Sequence, residues 1–66
     1  MKTIKTVYVG NFGNVDVVEQ KDENSDVFFD LFDDKGNCLN EGDIFWDEPT
    51  DDDVNNYVTA NYLVCK

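Results

Sequence analysis

The sequence predicts a small α+β domain in which an antiparallel meander sheet of three to four strands precedes one C-terminal helix packed on one face, in the order ββββα. Three observations lead to this fold class. Residues 1–46 contain runs of β-branched and aromatic residues, turn signals rich in glycine, asparagine and aspartate separate the runs, and residues 50–66 repeat apolar residues at helical spacing. A chain of 66 residues is expected to form one acidic domain, residues 1–66.

The first two strands are predicted on either side of a short turn. Thr3–Val9 and Val15–Glu19 are rich in β-branched residues. The stretch GNFGN between them combines two glycines with two asparagines, which tolerate positive φ, so we expect a hairpin with Phe12 at its tip. The polar stretch QKDENS predicts the loop that leads into the third strand.

The third strand, predicted over Asp26–Asp33, carries apolar side chains on both faces because side chains alternate along a strand. The face expected to join the core consists of Val27, Phe29 and Leu31. The opposite face consists of Asp26, Phe28, Asp30, Phe32 and Asp34. The turn signal DDKGN then predicts a tight reversal into a fourth strand within CLNEGDIFW, which Gly42 divides.

Residues from Pro49 onward carry the signals of an amphipathic helix. Thr50 is a good N-cap, Asp51–Asp53 place negative charge in the first turn, and Asp53 occupies the capping-box position. The apolar stripe consists of Val54, Tyr57, Val58, Tyr62 and Cys65. Spacings of three and four residues predict a helix of about four turns that packs on the core face of the sheet.

The net charge of −10 is concentrated in the second part of the chain. Residues 1–25 hold three lysines against four acids, whereas residues 26–66 hold two lysines against eleven acids, and arginine is absent. Nucleic acids and anionic membranes are recognised mainly through lysine and arginine. We therefore expect no direct binding to nucleic acid and no membrane association.

A cytoplasmic location is expected from the N-terminus and the cysteines. The N-terminal apolar run is broken by Lys5, Thr6 and Gly10, which is not the pattern of a signal peptide. Without a secretory signal, we expect Cys38 and Cys65 to be reduced, buried thiols rather than a disulfide.

Catalysis is not expected, because the residue types that it usually needs are missing. Histidine is absent, and the single serine, Ser25, lies in a polar stretch without a base to activate it. Paired carboxylates would need a concave, partly desolvated site, for which a meander with one helix has little depth. We also expect no cofactor.

A calcium loop of the EF-hand type is contradicted by the residue at its third ligand position. Gly42 and Glu48 stand at the sixth and twelfth positions of such a frame, but Leu39 occupies the third, where an oxygen ligand is required. A looser cluster of carboxylates would bind divalent ions weakly, and two cysteines do not supply a zinc site. No metal site is predicted.

Six acids and no base lie between Asp43 and Asp53, and they have two interpretations. One assigns the last three to helix capping and the rest to a solvated loop. The other treats the acids as one surface, because carboxylates two apart on a strand lie about 6.6–7 Å from one another. That spacing resembles the separation of successive phosphates along a nucleic-acid strand.

In size and charge the chain resembles small acidic proteins that mimic DNA, including phage inhibitors of restriction and CRISPR systems, although no residue motif identifies a family. The resemblance implies a non-enzymatic inhibitor that blocks the basic nucleic-acid-binding surface of a host defence nuclease. The predicted partner-binding residues are three aromatic anchors and eight acids: Phe28, Phe32, Trp46, Asp30, Asp34, Asp43, Asp47, Glu48, Asp51, Asp52 and Asp53.

The alternative is a cytosolic protein-interaction module or accessory subunit whose acidity serves solubility alone. Here Phe28 and Phe32 form an exposed aromatic strip, a pattern typical of protein interfaces. Against this, the two rings can instead pack on Phe45 or Trp46 of the same chain. Both a monomer and a homodimer fit the sequence, although a dimer through this face pairs like charges.

Overall fold

The computed structural model describes residues 2–63 and contains one sheet and one helical region. The elements are β1 (Lys2–Val9), β2 (Gly13–Lys21), β3 (Val27–Phe32) and α1 (Asp51–Val58), with a π-helical segment over Thr59–Leu63. The strands form an antiparallel meander in the order β1-β2-β3. The predicted α+β fold, with one C-terminal helix packed against the sheet, is therefore confirmed.

The β1–β2 hairpin turns where the glycines and asparagines predicted it. Asn11 has a φ of 69°, and the Phe12 N–H donates to the Val9 carbonyl at 3.0 Å. The Phe12 ring then lies partly buried against the core, 5.8 Å from the ring of Tyr62. The turn thus contributes to the core as well as reversing the chain.

A bulge in β1 changes which side chains share a face. Thr3 pairs with Val18, yet Lys5 pairs with Val17, so Ile4 is an extra residue in the ladder. Because successive residues point to opposite faces, the bulge puts Thr3 and Lys5 on different sides of the sheet. Lys5 alternates regularly with the core residue Val7 and lies on the side that α1 covers, while the bulge places Thr3 on the opposite face and Lys2 on the side of α1.

The core lies between one face of the sheet and α1. Its buried residues are Val7, Val9, Val15, Val17, Phe29, Leu31, Leu39, Val54 and Val58. Phe29 and Leu31 confirm the predicted core face of β3, and Val27 packs partly buried against it. Removal of these branched and aromatic side chains from water stabilises a domain that, at this size, buries only about 60% of the surface its unfolded chain exposes.

The predicted fourth strand does not form. Residues 38–46 make two isolated bridges to β3, Phe32 with Cys38 and Phe29 with Phe45. Between the bridges the backbone leaves the sheet in a turn, where the Asp43 N–H donates to the Asn40 carbonyl at 2.9 Å and Gly42 has a φ of 91°. Such a φ is not that of an extended strand, so the edge of β3 needs another partner.

The side chain of Asn40 supplies that partner. Asn40 is only 2% exposed, and its Oδ1 accepts the Leu31 N–H at 3.0 Å. Its Nδ2 donates to the carbonyls of Phe29 at 3.2 Å and Asp43 at 3.0 Å. One amide side chain thus satisfies backbone groups that a continuous strand would have paired.

The turn after β3 is organised by Asp33. Its Oδ1 accepts the N–H groups of Lys35 at 2.9 Å and Asn37 at 2.8 Å, and its Oδ2 accepts the Asn37 side chain at 3.1 Å. The backbone hydrogen bond from Asn37 is the largest cause that lowers the pKa of the Asp33 carboxyl. Gly36 completes the predicted reversal with a φ of 87°.

The helix begins as the sequence predicts. Thr50 Oγ1 accepts the Asp53 N–H at 3.1 Å, and Asp53 Oδ2 accepts the Thr50 N–H at 3.0 Å, which is a reciprocal capping box. Val54 and Val58 are buried, but Tyr62 is 47% exposed and donates its hydroxyl to the Leu39 carbonyl. Cys65, the last residue of the predicted stripe, lies outside the described residues.

Candidate functional site

The sheet has an open face, defined as the face opposite α1. Its strand residues are Thr3, Thr6, Tyr8, Asn14, Asp16, Val18, Gln20, Phe28, Asp30 and Phe32, as the register and the alternation of side chains place them. The two charged residues among them, Asp16 and Asp30, are both acids. The strand lysines, Lys2, Lys5 and Lys21, all stand on the side of α1. The sheet therefore separates charge, with carboxylates alone on the open face.

Two ordered carboxylates lie on neighbouring strands of the open face. Asp16 pairs with Phe32 and Asp30 pairs with Val18, so the two acids are diagonal neighbours. Residues in this relation lie about 7–8 Å apart. Thr6 Oγ1 donates to Asp16 Oδ1 at 2.7 Å, and Gln20 Nε2 donates to the carboxylate of Asp30. Each acid is thus held in position by a neutral neighbour.

Phe28 and Trp46 form an aromatic pair at the edge of the open face. Their ring centroids are 6.3 Å apart with an interplanar angle of 70°, so the rings meet edge to face. Phe28 is half-buried, whereas Trp46 is 57% exposed. Ile44, two residues before Trp46, is also 57% exposed. The predicted packing of Phe28 on Trp46 is therefore present, but the pair still offers apolar surface.

The other predicted aromatic anchor, Phe32, borders a groove at the end of the open face. The groove has a volume of about 310 Å³ and is lined by Thr3, Asp16, Val18, Phe32, Asp33, Asp34 and Gly36. Val18 is only 3% exposed although α1 covers the opposite face. The flanking side chains of the open face, rather than the core, shield it from water.

The remaining predicted acids lie within residues 43–53, and several of them are held by other residues on the side of α1. Asp43 Oδ2 accepts the Tyr57 hydroxyl at 2.8 Å. Burial, followed by this hydrogen bond, raises the pKa of Tyr57 to about 12. The ring of Tyr57 also packs on that of Phe45, with centroids 5.5 Å apart. Asp43 therefore ties the irregular segment to the helix.

Lys5 neutralises part of the acidic segment. Its Nζ lies 3.3 Å from Asp51 Oδ1 and 3.7 Å from Glu48 Oε2. The sequence shows no base within residues 43–53, but the fold supplies one from β1. With Asp53 in the capping box, Asp47 and Asp52 are the acids of this segment whose carboxylates have no hydrogen bond or ion pair within residues 2–63.

The predicted partner-binding residues lie in two regions of the protein. Phe28, Asp30, Phe32, Asp34 and Trp46 form the open-face group. The α1-side group comprises Asp43, Glu48, Asp51, Asp52 and Asp53, and Asp47 follows Trp46 directly in the chain. The sheet therefore separates Asp30 from the acids that Tyr57 and Lys5 hold.

The open-face residues that sequence reasoning missed include Thr6, Asp16 and Val18. The adjacent valines Val17 and Val18 could have revealed Val18 on the open face, because two successive residues in a strand point to opposite faces. Asp16, one residue before Val17, then had to share the face of Val18. The hydrogen bond from Thr6 depends on the hairpin register and had no local signal.

Within residues 2–63, no group of three or more acids and cysteines is close enough to hold a metal ion. The helical region in that range is also too short and too polar to cross a bilayer. Cys38 is half-buried and forms no disulfide within residues 2–63, and burial raises the pKa of its thiol. Since Cys65 lies outside the described residues, the predicted state of the pair stays a prediction.

Comparison with protein-family models, curated proteins and solved structures finds no match to this chain. Its function must therefore be argued from its own residues and their arrangement.

Proposed function

We propose that this protein is a non-enzymatic inhibitor whose acidic surface occupies the basic, nucleic-acid-binding surface of a partner enzyme. In its finer form the proposal is a phage-type DNA mimic directed at a host defence nuclease, of the anti-CRISPR or anti-restriction class. The observation that carries the proposal is the separation of charge across the sheet, which leaves Asp16 and Asp30 on the open face with no strand lysine beside them.

The geometry of these two acids resembles that of a phosphate strand. Diagonal neighbours in a sheet lie about 7–8 Å apart, close to the spacing that suggested phosphate mimicry in the sequence. The Thr6 and Gln20 side chains hold the carboxylates in place, so little side-chain entropy would be lost on binding. Carboxylates that steer association with a basic channel raise the association rate.

The lack of suitable catalytic groups supports a binding role. The chain has no histidine, and Ser25 is exposed in the loop between β2 and β3. The groove beside Phe32 is open and acidic, without a base and nucleophile within reach of each other.

The proposal is tested by competition with DNA. A labelled duplex is bound to each member of a panel of purified CRISPR effectors and restriction enzymes, and the protein is added at low and at high ionic strength. We expect it to displace the duplex from a susceptible enzyme, and to do so less well at high salt because exposed charges are then screened. Failure to displace DNA from any of these enzymes at low salt would count against the finer proposal.

Two charge-matched variants locate the binding surface. The triple variant Asp16→Asn, Asp30→Asn, Asp34→Asn removes three charges from the open face, and Asp47→Asn, Glu48→Gln, Asp52→Asn removes three from residues 43–53. We expect the first to displace DNA far less well than the second, with both still folded by circular dichroism. Equal losses would show that net charge matters and the open face does not.

An interaction module is the second candidate, and the exposure of Trp46 and Ile44 favours it. Exposed aromatic and branched side chains beside a half-buried ring are typical of the centre of a protein interface. In that case the aromatic pair, rather than the carboxylates, supplies the binding energy.

A further inference from the structure

The groove at the end of the open face has a shape and chemistry that the acids alone do not provide. It holds about 310 Å³, with the apolar Val18 among its lining residues and the ring of Phe32 beside it. Val18 pairs with Thr3 on one neighbouring strand, while Phe32 pairs with Asp16. An aromatic ring, an apolar residue and carboxylates therefore meet in one concavity.

Two of the three carboxylates that line the groove have acceptor capacity left. Asp33 is already engaged, because it accepts hydrogen bonds from Lys35 and Asn37. Asp16 uses Oδ1 for Thr6, which leaves Oδ2 available. Asp34 is exposed, and its carboxylate has no hydrogen bond or ion pair within the described residues. The groove thus presents free acceptors at Asp16, which pairs with Phe32 across the strands, and at Asp34, two residues after Phe32 in the chain.

The geometry points to an arginine side chain of the partner as the occupant of this groove. The inference rests on the proposed function, since a basic nucleic-acid-binding surface would supply the arginine. Charge complementarity selects a cation, and the aromatic ring selects its form. A planar guanidinium stacks on Phe32 and donates to Asp16 and Asp34.

Lysine fits this groove less well than arginine. Its ammonium is a compact and strongly hydrated charge, whereas the guanidinium is weakly hydrated and presents five donors in a plane. Stacking on an aromatic ring and reaching two separate carboxylates at once both favour the planar group. The groove therefore discriminates by shape as well as by charge.

A small monovalent probe tests the groove without the many charges of a basic protein. N-acetyl-argininamide is titrated into the full chain labelled with ¹⁵N, and amide shifts are followed by NMR. We expect saturable shifts at Val18, Phe32 and Asp34, with little change at Asp47 and Asp52. N-acetyl-lysinamide should bind at least about threefold more weakly, from the loss of stacking, and the neutral N-acetyl-citrullinamide should cause no saturable shift.

Single substitutions separate the groove from general electrostatics. Asp34→Asn and Phe32→Leu should each weaken argininamide binding by about two- to fivefold, in line with one exposed charge pair or cation–π contact. Asp52→Asn removes the same charge on the side of α1 and should leave the affinity unchanged. The Leu substitution keeps an apolar side chain over Val18, so a folded variant is expected, which its amide spectrum verifies.

Three results would overturn the inference: largest shifts at the α1 side, equal binding of the lysine probe, or equal weakening by Asp34→Asn and Asp52→Asn. Failure of the groove is distinguishable from failure of the proposed function. A protein that displaces DNA but does not bind argininamide in the groove loses only the inference. If the groove binds argininamide but the protein displaces no DNA, the proposed function fails and the groove remains a binding site for the arginine side chain.

Discussion

Asn40 stands in for a strand beside Leu31, because its side-chain Oδ1 accepts the Leu31 backbone N–H at 3.0 Å in a position where the main chain has turned away. The same side chain donates to the Phe29 and Asp43 carbonyls. Together with the backbone hydrogen bonds from Leu39 N–H to Leu31 and from Phe29 N–H to Phe45, this buried amide closes the outer edge of β3 and attaches the irregular segment to it.

Replacing this amide should destabilise the domain strongly. In Asn40→Leu, the Leu31 N–H and the Phe29 carbonyl lose a partner in the protein interior, and each buried unsatisfied group costs about 1–3 kcal/mol. A loss of about 3 kcal/mol is a large part of the roughly 3–10 kcal/mol expected for a domain of this size. Urea unfolding followed by circular dichroism measures the loss. The control Asn56→Leu, at an exposed position of α1, should change stability by less than about 0.5 kcal/mol.

Tyr57 should make stability depend on pH in the alkaline range. Its pKa in the folded protein is about 12, above the ordinary value of 10.0, because burial and the Asp43 hydrogen bond favour the neutral phenol. The folded state therefore keeps a proton that the unfolded state loses, so this contribution is complete below pH 10 and declines between pH 10 and about 12. Unfolding free energies of the protein and of Tyr57→Phe should converge over this range. Parallel curves for the two proteins would contradict the assignment.

Removing Lys5 should make the side of α1 more negative with little loss of stability. The pairs that it makes with Glu48 and Asp51 involve carboxylates whose side chains are 58% and 74% exposed, and such pairs contribute about 0–1 kcal/mol. Lys5→Gln is therefore expected to unfold at nearly the same urea concentration. If acids on the side of α1 also contact the partner, Lys5→Gln should displace DNA better than Lys21→Gln, which makes the same charge change at the end of β2. If the two variants displace DNA equally well, the partner contacts only the open face.

Substitution of the aromatic pair distinguishes the two proposed functions. Phe28→Ser and Trp46→Ser remove apolar surface from the open face without changing its charge. A DNA mimic should retain most of its ability to displace duplex, whereas an interaction module should lose its partner, because aromatic anchors often contribute 2 kcal/mol or more, roughly thirtyfold in affinity. The salt dependence provides an independent check, since only the mimic should bind much more weakly at high ionic strength.

Local signals predicted most of the fold. Glycine and asparagine marked the hairpin around Phe12, and Thr50 and Asp53 marked the start of the helix, because each of these features depends on residues close in sequence. The prediction of a fourth strand was wrong because a tertiary contact replaces it. The apolar pattern of residues 38–46 resembles a strand, but the Asn40 side chain satisfies the edge of β3 and frees the backbone to turn at Gly42.

The candidate site was harder to predict, because it depends on which face each residue occupies. The acids of residues 43–53 are close in sequence, yet Asp43 and Asp51 are held by Tyr57 and Lys5 on the side of α1, whereas Asp30 lies on the open face. Lys5 lies about forty residues away in sequence from the acids that it pairs with, and no local pattern links them. The open-face pair of Asp16 and Asp30 required the exact register of β2 and β3.

The bulge at Ile4 has an effect on charge that is as important as its effect on geometry. Without the bulge, the ladder that pairs Lys5 with Val17 would continue to Lys2 opposite Gln20 on the open face, beside the side chain that holds Asp30. The extra residue instead pairs Lys2 with Glu19 on the side of α1. A single insertion therefore keeps the strand residues of the open face free of cations, while Lys5 on the opposite side pairs with acids there.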